Sequence, residues 1–338
     1  MERNRLGRSA VEITALSFGA SAIGNLFTRV GPGQAAAAVD AAWEEGVRHF
    51  DTAPHYGTGL SERRLGEALR ARPRDSYTVS TKAGRLLEPL TAAEATASGG
   101  LSEGFDVPHT HRRRWDFSGD GIRRSIEESL ERLGLDRVDV VYLHDPDDHE
   151  EAAFREGYPA LEQLRAEGTV GAIGAGMNRT AMLTRFVRDT DVDVVLCAGR
   201  FTLLDGSALD TLLPEAAARG RSVVVGGVFN SGLLADPRPG ATYDYAAAPA
   251  HLIDRALRVR AVTERHGVPL RAAALHFPLR HPSVAGVLVG LRSADEVRDA
   301  AALLRRPVPE ALWDDLRAEG LLDDRSLPAA DGGPGTGA

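Results

Sequence analysis

The sequence predicts an α/β fold: a closed (β/α)8 barrel of the TIM type, in a single domain that spans residues 1–322. Eight short apolar runs alternate with amphipathic helical stretches, and each run ends at a polar or glycine-containing loop. Near-continuous apolar strands separated by helices are typical of a parallel sheet covered by helices, and eight such units favour a closed barrel over an open, doubly wound sheet. A length of 338 residues is compatible with one barrel domain.

The predicted strands are brief, and most are rich in Val, Ile or Leu, as buried parallel strands usually are. They cover residues 15–18, 49–51, 78–81, 138–143, 170–174, 193–197, 222–226 and 285–289. The clearest helical patterns lie between them, at residues 35–45, 61–70, 121–133, 158–167 and 180–189. This order of elements is the basis for the predicted barrel.

Three segments depart from this alternation. Residues 4–14 contain a Gly7-Arg8 turn between extended pieces, which predicts a small hairpin that caps the barrel floor. Residues 86–118 form a long, irregular insertion after the third strand, and loops of that length are usually functional lids or disordered. The tail, residues 323–338, ends in DGGPGTGA and is predicted to be disordered.

Composition excludes several classes of function. A net charge of −8 argues against a general binder of nucleic acid or of anionic membranes. No stretch approaches the length of a membrane span, and MERNRLGR lacks the apolar core of a signal peptide, so we expect a cytoplasmic protein that acts on a small molecule. The single cysteine, Cys197, is predicted to be a buried strand thiol; it excludes an internal disulfide, and no metal site is predicted. No heptad repeat or long apolar stripe predicts an oligomeric state.

Four side chains suited to proton transfer follow successive strands. Asp51, Lys82 and His144 come at the carboxyl ends of the second, third and fourth strands, and Tyr56 lies five residues past the second. Chemistry in such barrels gathers at that rim. A tyrosine with its usual pKa near 10 is a poor acid–base group at neutral pH, and an adjacent lysine is expected to lower that pKa by about two to three units. Asp51 would keep the buried Lys82 charged, and His144 would orient the substrate oxygen.

Such a site moves a proton at an oxygen while hydride moves at the neighbouring carbon. No side chain carries hydride, so the pattern predicts a bound redox cofactor. Each of the four residues also has an ordinary structural interpretation, such as a turn cap, a surface lysine or a buried core histidine. Their convergence on one rim favours the catalytic interpretation.

Several segments, DTAPHYGTGLSERRLGEAL, VSTKAGR, DRVDVVYLHDPD and GTVGAIGAG, resemble the signature segments of aldo-keto reductases. The resemblance extends from about residue 6 to about residue 300. It implies that Asp51, Tyr56, Lys82 and His144 are the family's catalytic residues and that the cofactor is NAD or NADP. KAGRLL, the long insertion and HDPD are similar to the branch of aldose 1-dehydrogenases, of the L-fucose or D-threo-aldose type, and pyridoxal 4-dehydrogenases.

The resemblance also implies a cofactor site. Asn178 would hold the nicotinamide carboxamide, while Ala198 and Gly226 stand where many members have a glutamine and a stacking aromatic residue. The run GGVFNSGLL resembles a loop that covers the pyrophosphate, and its matching residues are Asn230, Ser231, Gly232 and Leu233. Gly290 and Glu296 stand where many members grip the adenosine 2′-phosphate with cations, which favours NAD over NADP, although Arg292 offers a phosphate contact.

The sequence identifies the substrate less directly than it identifies the catalytic residues. His55, Trp115 and Phe229 are the candidate substrate walls, because they adjoin Tyr56, the insertion and the cofactor loop. The leading interpretation is an NAD(P)-dependent oxidoreductase that oxidises an aldose at C1. A biosynthetic aldehyde or ketone reductase that uses NADPH is the first alternative, and a non-catalytic, cofactor-binding sensor barrel is the second.

Overall fold

The computed structural model describes residues 1–97 and 101–326. Its core is a closed barrel of eight parallel strands, as the sequence predicts. The strands are β1 (Arg3–Arg5), β2 (Glu12–Thr14), β3 (Leu16–Gly19), β4 (His49–Asp51), β5 (Thr78–Ala83), β6 (Arg85–Pro89), β7 (His111–Trp115), β8 (Val138–His144), β9 (Val170–Met177), β10 (Val194–Ala198), β11 (Ser222–Gly226), β12 (Thr242–Tyr243), β13 (Ala246–Ala247) and β14 (Val284–Gly290). Around the barrel, β3, β4, β5, β8, β9, β10, β11 and β14 pair in that order, and β14 closes onto β3.

Helices cover the outside of the barrel. They are α1 (Pro32–Glu44), α2 (Leu60–Leu69), α3 (Ala92–Ala97), α4 (Gly119–Leu133), α5 (Glu150–Ala152), α6 (Tyr158–Ala166), α7 (Thr180–Asp189), α8 (Leu212–Arg219), α9 (Ala250–Arg265), α10 (Leu270–His276), α11 (Ala294–Arg305) and α12 (Glu310–Ala318). No helix within residues 1–97 and 101–326 is both long and apolar enough to cross a membrane. The main apolar core lies between this helical layer and the outward faces of the strands.

The predicted strands match the observed ones to within a few residues. The largest difference is β9, which extends to Met177 because Ala175, Gly176 and Met177 continue the parallel pairing with β10. The predicted hairpin before the barrel is also confirmed, since β1 and β2 pair antiparallel. Leu6 and Ile13 from this hairpin are buried in the lower lumen, where they close the floor.

The barrel lumen is polar on one side and apolar on the other. Alternate residues of β3, β4 and β5 contribute Ser17, His49, Asp51, Ser80 and Lys82, all at most 2% exposed. A separate, mainly apolar cluster fills the rest of the lumen, with residues from β8, β9, β10, β11 and β14 together with Leu6 and Ile13 of the hairpin. Because strand residues point alternately in and out, the polar residues share one face of three neighbouring strands and reach up to the catalytic rim.

The insertion is more regular than the sequence predicts. Its two arms, β6 and β7, pair antiparallel, so the expectation of an irregular segment is wrong for those residues. Arg112 and Arg114 on β7 both pair with Glu88 across the ladder, and such cross-strand charge pairs stabilise a short ribbon. Cys197 is fully buried, and burial raises the pKa of its thiol to about 12, as befits a structural thiol.

The end of the described chain is ordered slightly beyond the predicted boundary. Residues 324–326 form a short 3-10 helix, and Ser326 is 1% exposed. The rest of the predicted disordered tail, residues 327–338, lies outside the described residues.

Candidate active site

The four predicted catalytic side chains converge at the carboxyl rim of the barrel. Asp51 ends β4, Lys82 lies near the end of β5, His144 ends β8, and Tyr56 follows β4 in a tight turn. Lys82 Nζ donates to Asp51 Oδ2 at 2.6 Å and to the Thr52 carbonyl at 2.9 Å. The same ammonium lies 4.8 Å from the centre of the Tyr56 ring, and the Tyr56 and His144 rings meet edge to face at 5.9 Å.

Burial dominates the electrostatics of Tyr56. It raises the pKa of the phenol to about 12, and the Asp51 charge acts in the same direction, against the opposing charge of Lys82. The expected net lowering of this pKa is therefore wrong for the structure described. The pKa of Lys82 is raised, because the charges of Asp51 and Tyr56 outweigh a burial that alone would lower it. Tyr56 is a neutral phenol beside a charged ammonium at neutral pH.

The rings of two neutral histidines, His55 and His144, meet edge to face beside the phenol. Their ring centres are 5.7 Å apart. Burial, assisted by the nearby Arg85, lowers the pKa of His144 well below its usual value and that of His55 to about 2. The Nδ1 atoms of both rings are buried without a hydrogen-bond partner among the described residues. A neutral imidazole has one N–H donor and one acceptor nitrogen, so each of these rings can hydrogen-bond a carbonyl or hydroxyl oxygen of a substrate.

A cavity of about 580 Å³ opens above these side chains. Its lining includes all four predicted catalytic residues and most of the predicted cofactor and substrate residues. The predicted residues brought together there are Asp51, His55, Tyr56, Lys82, His144, Asn178, Gly226, Phe229, Asn230, Ser231, Gly232 and Gly290. The predicted residues outside the lining are Trp115, Leu233, Arg292 and Glu296.

The cavity floor is flattened by glycine at several strand ends. A Cβ atom at Gly176 or Gly226 would lie 3.3 or 3.5 Å from the Leu196 side chain, which itself lines the cavity. The side-chain Oδ1 of Asn230, on the cavity wall, is buried without a partner among the described residues. Glycines at the strand ends and an unsatisfied amide acceptor in the wall of the same cavity fit a nicotinamide dinucleotide.

Several N–H groups of the predicted phosphate-binding loop already donate hydrogen bonds within the loop itself. The N–H groups of Asn230, Gly232 and Leu233 donate to carbonyls within the loop, and the Leu233 side chain is fully buried in the core. In this conformation those three N–H groups are not free for phosphate. Ser231 is held by the hairpin of β12 and β13, since its hydroxyl accepts from the Tyr245 N–H at 3.1 Å.

Arg292 and Glu296, two of the residues predicted to lie near the adenosine of the cofactor, form an ion pair with each other outside the cavity. The Glu296 carboxylate accepts from the Arg292 N–H at 2.9 Å and lies 3.4 Å from the Arg292 guanidinium. Ser293 caps the start of α11 by accepting from the Glu296 N–H. Arg292 is thus neutralised by Glu296, and Gly290 alone of the three reaches the cavity wall.

Two carboxylates that the sequence did not assign line the substrate end of the cavity. Asp145 lies 3.6 Å from His144 Nε2 and is paired with Arg85. Glu103, from the insertion, lies 3.7 Å from His55 Nδ1 and 3.4 Å from Arg113. Each histidine therefore has a carboxylate beside it, and each carboxylate has its own arginine. This arrangement offers hydroxyl groups several charged acceptors at fixed positions.

Aromatic rings close over the cavity mouth. Phe27 and Tyr245 are 54% and 71% exposed, and their ring centres are 6.0 Å apart. Both residues have a left-handed backbone, with φ of 58° and 63°, which is uncommon and costly outside glycine. Arg200 holds the hairpin that carries Tyr245, because it pairs with the adjacent Asp244 at 2.6 Å. Strained non-glycine residues of this kind concentrate at ligand clamps.

Trp115 does not form a substrate wall. It is 40% exposed, stacks on Phe117 at 5.9 Å and on His149 at 5.3 Å, and has the Arg85 guanidinium 4.1 Å above its ring. It fastens the base of the insertion to the barrel instead. Phe105 provides the aromatic wall that the sequence assigns to Trp115, since its ring centre lies 6.0 Å from that of Tyr56 and it is 2% exposed.

Comparison with known proteins agrees with this geometry. The family model described as the aldo/keto reductase family matches residues 15–318. The chain belongs to that family. It is an NAD(P)-dependent oxidoreductase, and the aldo-keto reductase fold is a (β/α)8 barrel; the non-catalytic alternative is therefore set aside.

Named relatives of this aldo-keto reductase share most of its length. It is 46% identical to a D-threo-aldose 1-dehydrogenase of Pseudomonas sp over 91% of this chain and 94% of that protein. It is 38% identical to a pyridoxal 4-dehydrogenase of Microbacterium luteolum over 95% and 98% of the two chains. The holo form of an aldo-keto reductase from Bacillus halodurans superposes with a TM-score of 0.72, covering 94% and 96% of the chains at 24% identity. The branch expected from the sequence is confirmed by the first two relatives.

Proposed function

We propose that this aldo-keto reductase oxidises a polyhydroxylated aldose at its anomeric carbon, with Tyr56 as the proton-transfer residue. The observation that carries the proposal is the pairing of carboxylates with the two histidines around the phenol, at Asp145 and Glu103. A hydroxyl-rich substrate makes use of such acceptors, whereas an apolar carbonyl compound would leave them unsatisfied. The 46% identity to an aldose dehydrogenase supports the same substrate class.

In the proposed reaction Tyr56 accepts the proton of the anomeric hydroxyl during oxidation and returns it during reduction. Lys82 stabilises the phenolate electrostatically, and Asp51 keeps Lys82 charged in its buried position. His144, neutral because it is buried among cations, hydrogen-bonds the reacting oxygen and orients it. When bound, the nicotinamide supplies the redox chemistry that no side chain can perform. Asn178 is proposed to hold the nicotinamide carboxamide, and the loop from Gly226 to Gly232 is proposed to cover the pyrophosphate of the cofactor.

The first prediction concerns substrate recognition. Asp145→Asn removes a charge at the cavity wall, so KM for an aldose substrate is expected to rise roughly tenfold, the effect of losing one charge-assisted hydrogen bond. The kcat/KM for a short unfunctionalised aldehyde, assayed in reduction, should stay near the parental value. Asp147→Asn is the matched control, because Asp147 lies on the same loop but outside the cavity lining.

The assay follows absorbance at 340 nm over aldoses of both series, pyridoxal and simple aldehydes, in both directions. Turnover of aldoses by the parent, with the selective loss in Asp145→Asn, is the expected result. A parent enzyme that ignores every aldose yet turns over an aromatic aldehyde would refute the aldose assignment. An equal loss of kcat/KM with all substrates would instead show that Asp145 maintains the structure of the site and does not recognise the aldose hydroxyls.

Carbonyl reduction is a second candidate function, and one observation favours it. The raised pKa of Tyr56, about 12, keeps the phenol protonated at neutral pH, which is the form that donates a proton to a carbonyl oxygen. Oxidation through the same phenol needs the phenolate, so its rate is expected to rise with pH over the neutral to alkaline range. Comparing kcat in the two directions across the panel distinguishes an aldose dehydrogenase from a carbonyl reductase.

The second prediction concerns cofactor choice. We propose that the enzyme prefers NAD, because Glu296 neutralises Arg292 and would repel a 2′-phosphate near the start of α11. Glu296→Arg frees Arg292 and adds a second cation, so the Kd ratio of NADP to NAD is expected to fall by about tenfold or more. Fluorescence titration of both cofactors measures it, with Glu310→Arg on the exposed start of α12 as the control for net charge. Tighter binding of NADP than NAD by the parent would refute the proposed preference.

A further inference from the structure

A row of buried hydrogen bonds runs up the polar side of the lumen and ends on Asp51. His49 Nδ1 lies 2.8 Å from Ser17 Oγ, and His49 Nε2 lies 3.1 Å from Ser80 Oγ. Ser80 Oγ in turn donates to Asp51 Oδ1 at 2.7 Å. His49, Ser17 and Ser80 are all fully buried, so their polar groups depend on hydrogen bonds inside the lumen. The catalytic scheme above uses none of them.

The number of hydrogens available fixes which group donates and which accepts in each of these hydrogen bonds. The hydroxyl of Ser80 has a single hydrogen, which goes to the Asp51 carboxylate, so Ser80 Oγ must accept from His49 Nε2–H. A neutral imidazole has only one N–H, so His49 Nδ1 accepts from the Ser17 hydroxyl. Ser17 Oγ also lies 3.2 Å from the Thr14 carbonyl, and its one hydrogen goes to the shorter contact with His49. Burial, with the nearby charge of Lys82, lowers the pKa of His49 to about 3 and is consistent with the neutral form.

We propose that Ser80 and His49 are positioning residues for proton transfer at Tyr56, and that they act by holding and polarising the Asp51 carboxylate. Ser80 fixes Oδ1, which leaves Oδ2 directed at Lys82 Nζ. The donated hydrogen bond also disperses part of the carboxylate charge, and donors arranged in a row strengthen one another. The inference rests on the proton-transfer role proposed for Tyr56, but it is independent of the substrate.

The sign of the effect follows from the charges around the phenol. The Asp51 charge favours protonated Tyr56, and Lys82 favours the phenolate. Without the Ser80 hydroxyl the Asp51 charge is less dispersed, so it opposes the phenolate more strongly and screens Lys82 more completely. Both changes raise the pKa of Tyr56. The other charged or titratable groups near the phenol, which the variants leave unchanged, are His55, Arg85, His144 and Tyr245.

The third prediction tests this directly. The protein is labelled uniformly with 3-fluorotyrosine, which lowers phenol pKa values into a measurable range, and the Tyr56 resonance is assigned by its loss in Tyr56→Phe. A fluorine NMR titration with NAD present is expected to show that Ser80→Ala raises the Tyr56 midpoint by about half a unit or more. The kcat for oxidation at a fixed neutral pH should fall by about threefold in parallel.

Thr81→Val is the matched control. Thr81 is the next residue on β5, and its hydroxyl also donates to a buried carboxylate, Glu62, at 2.9 Å, but on the outward face of the barrel. Both variants remove one buried hydrogen bond, so both should lower the melting temperature, while only Ser80→Ala should move the Tyr56 midpoint. His49→Leu should act in the same direction as Ser80→Ala but more weakly, and His49→Gln, which keeps a donor, should restore the parental midpoint.

The positioning role of Ser80 and His49 and the catalytic role of Tyr56 can fail independently, and different variants test each role. An unchanged Tyr56 midpoint in both Ser80→Ala and His49→Leu would overturn the inference, even if Tyr56→Phe abolishes turnover. Equal shifts in Ser80→Ala and Thr81→Val would also overturn it, because the effect would then be one of general packing. Retained turnover in Tyr56→Phe would refute the proposed catalytic role itself.

Discussion

Replacing Tyr56 by phenylalanine is expected to lower kcat by about a hundredfold to ten-thousandfold in both directions, the usual contribution of a positioned acid–base group. Within the described site the Tyr56 ring adjoins both the Lys82 ammonium and the His144 ring, and its phenol is the group proposed to exchange a proton with the substrate oxygen. Phenylalanine keeps the ring and its contact with Phe105 at 6.0 Å. The melting temperature and the Kd for NAD should therefore stay close to those of the parent.

Steady-state kinetics measure the expected fall in kcat, and fluorescence titration measures the expected unchanged Kd for NAD. Tyr142→Phe is the matched control, because Tyr142 is also a buried tyrosine of the lumen, its hydroxyl has no partner among the described residues, and the proposed reaction does not use it. Its kcat is expected to remain near the parental value. A Tyr56→Phe enzyme that keeps kcat within about threefold of the parent would place the proton transfer on another residue.

The barrel and the four rim residues could be predicted because they depend on strand order. Asp51, Lys82 and His144 each come at the end of a short predicted strand, and parallel strands of a closed barrel bring all such ends to one rim. The chemistry of the rim then follows from residue type alone. The lumen positions of His49 and Ser80 follow equally from the alternation of side chains along β4 and β5, but nothing in the sequence indicates that Ser80 bonds to Asp51 or that His49 bonds to Ser80.

The substrate end of the cavity could not be predicted, because it depends on loop conformation. Phe27 and Tyr245 are far apart in the chain and meet through left-handed backbone at residues with no sequence signal for it. Glu103 reaches His55 only because β6 and β7 form a ribbon that returns over the rim. Asp145 did have a signal, as the second residue of HDPD. The sequence predicts the wrong sign for the pKa shift of Tyr56, because the burial that raises this pKa depends on the three-dimensional structure.

Lys82→Met should be the most damaging change to both stability and turnover. Lys82 and Asp51 are each at most 2% exposed, and removing the ammonium leaves the carboxylate buried without its counter-charge. Breaking a buried pair in this way costs about 3–5 kcal/mol of unfolding free energy. Loss of the Lys82 ammonium beside the phenol also raises the pKa of Tyr56 further, so oxidation should fall at least a hundredfold at neutral pH.

The double variant Asp51→Asn with Lys82→Met separates these two effects. It removes both charges, and the asparagine oxygen can still accept from Ser80, so most of the lost unfolding free energy should return. Turnover should remain as low as in Lys82→Met, because the stabilisation of the phenolate is still absent. Urea unfolding measures the stability of the double variant, and oxidation kinetics over the neutral to alkaline range measure its turnover. If activity recovers together with stability in the double variant, Lys82 contributes to folding alone, and electrostatic support of Tyr56 has to come from another cation such as Arg85.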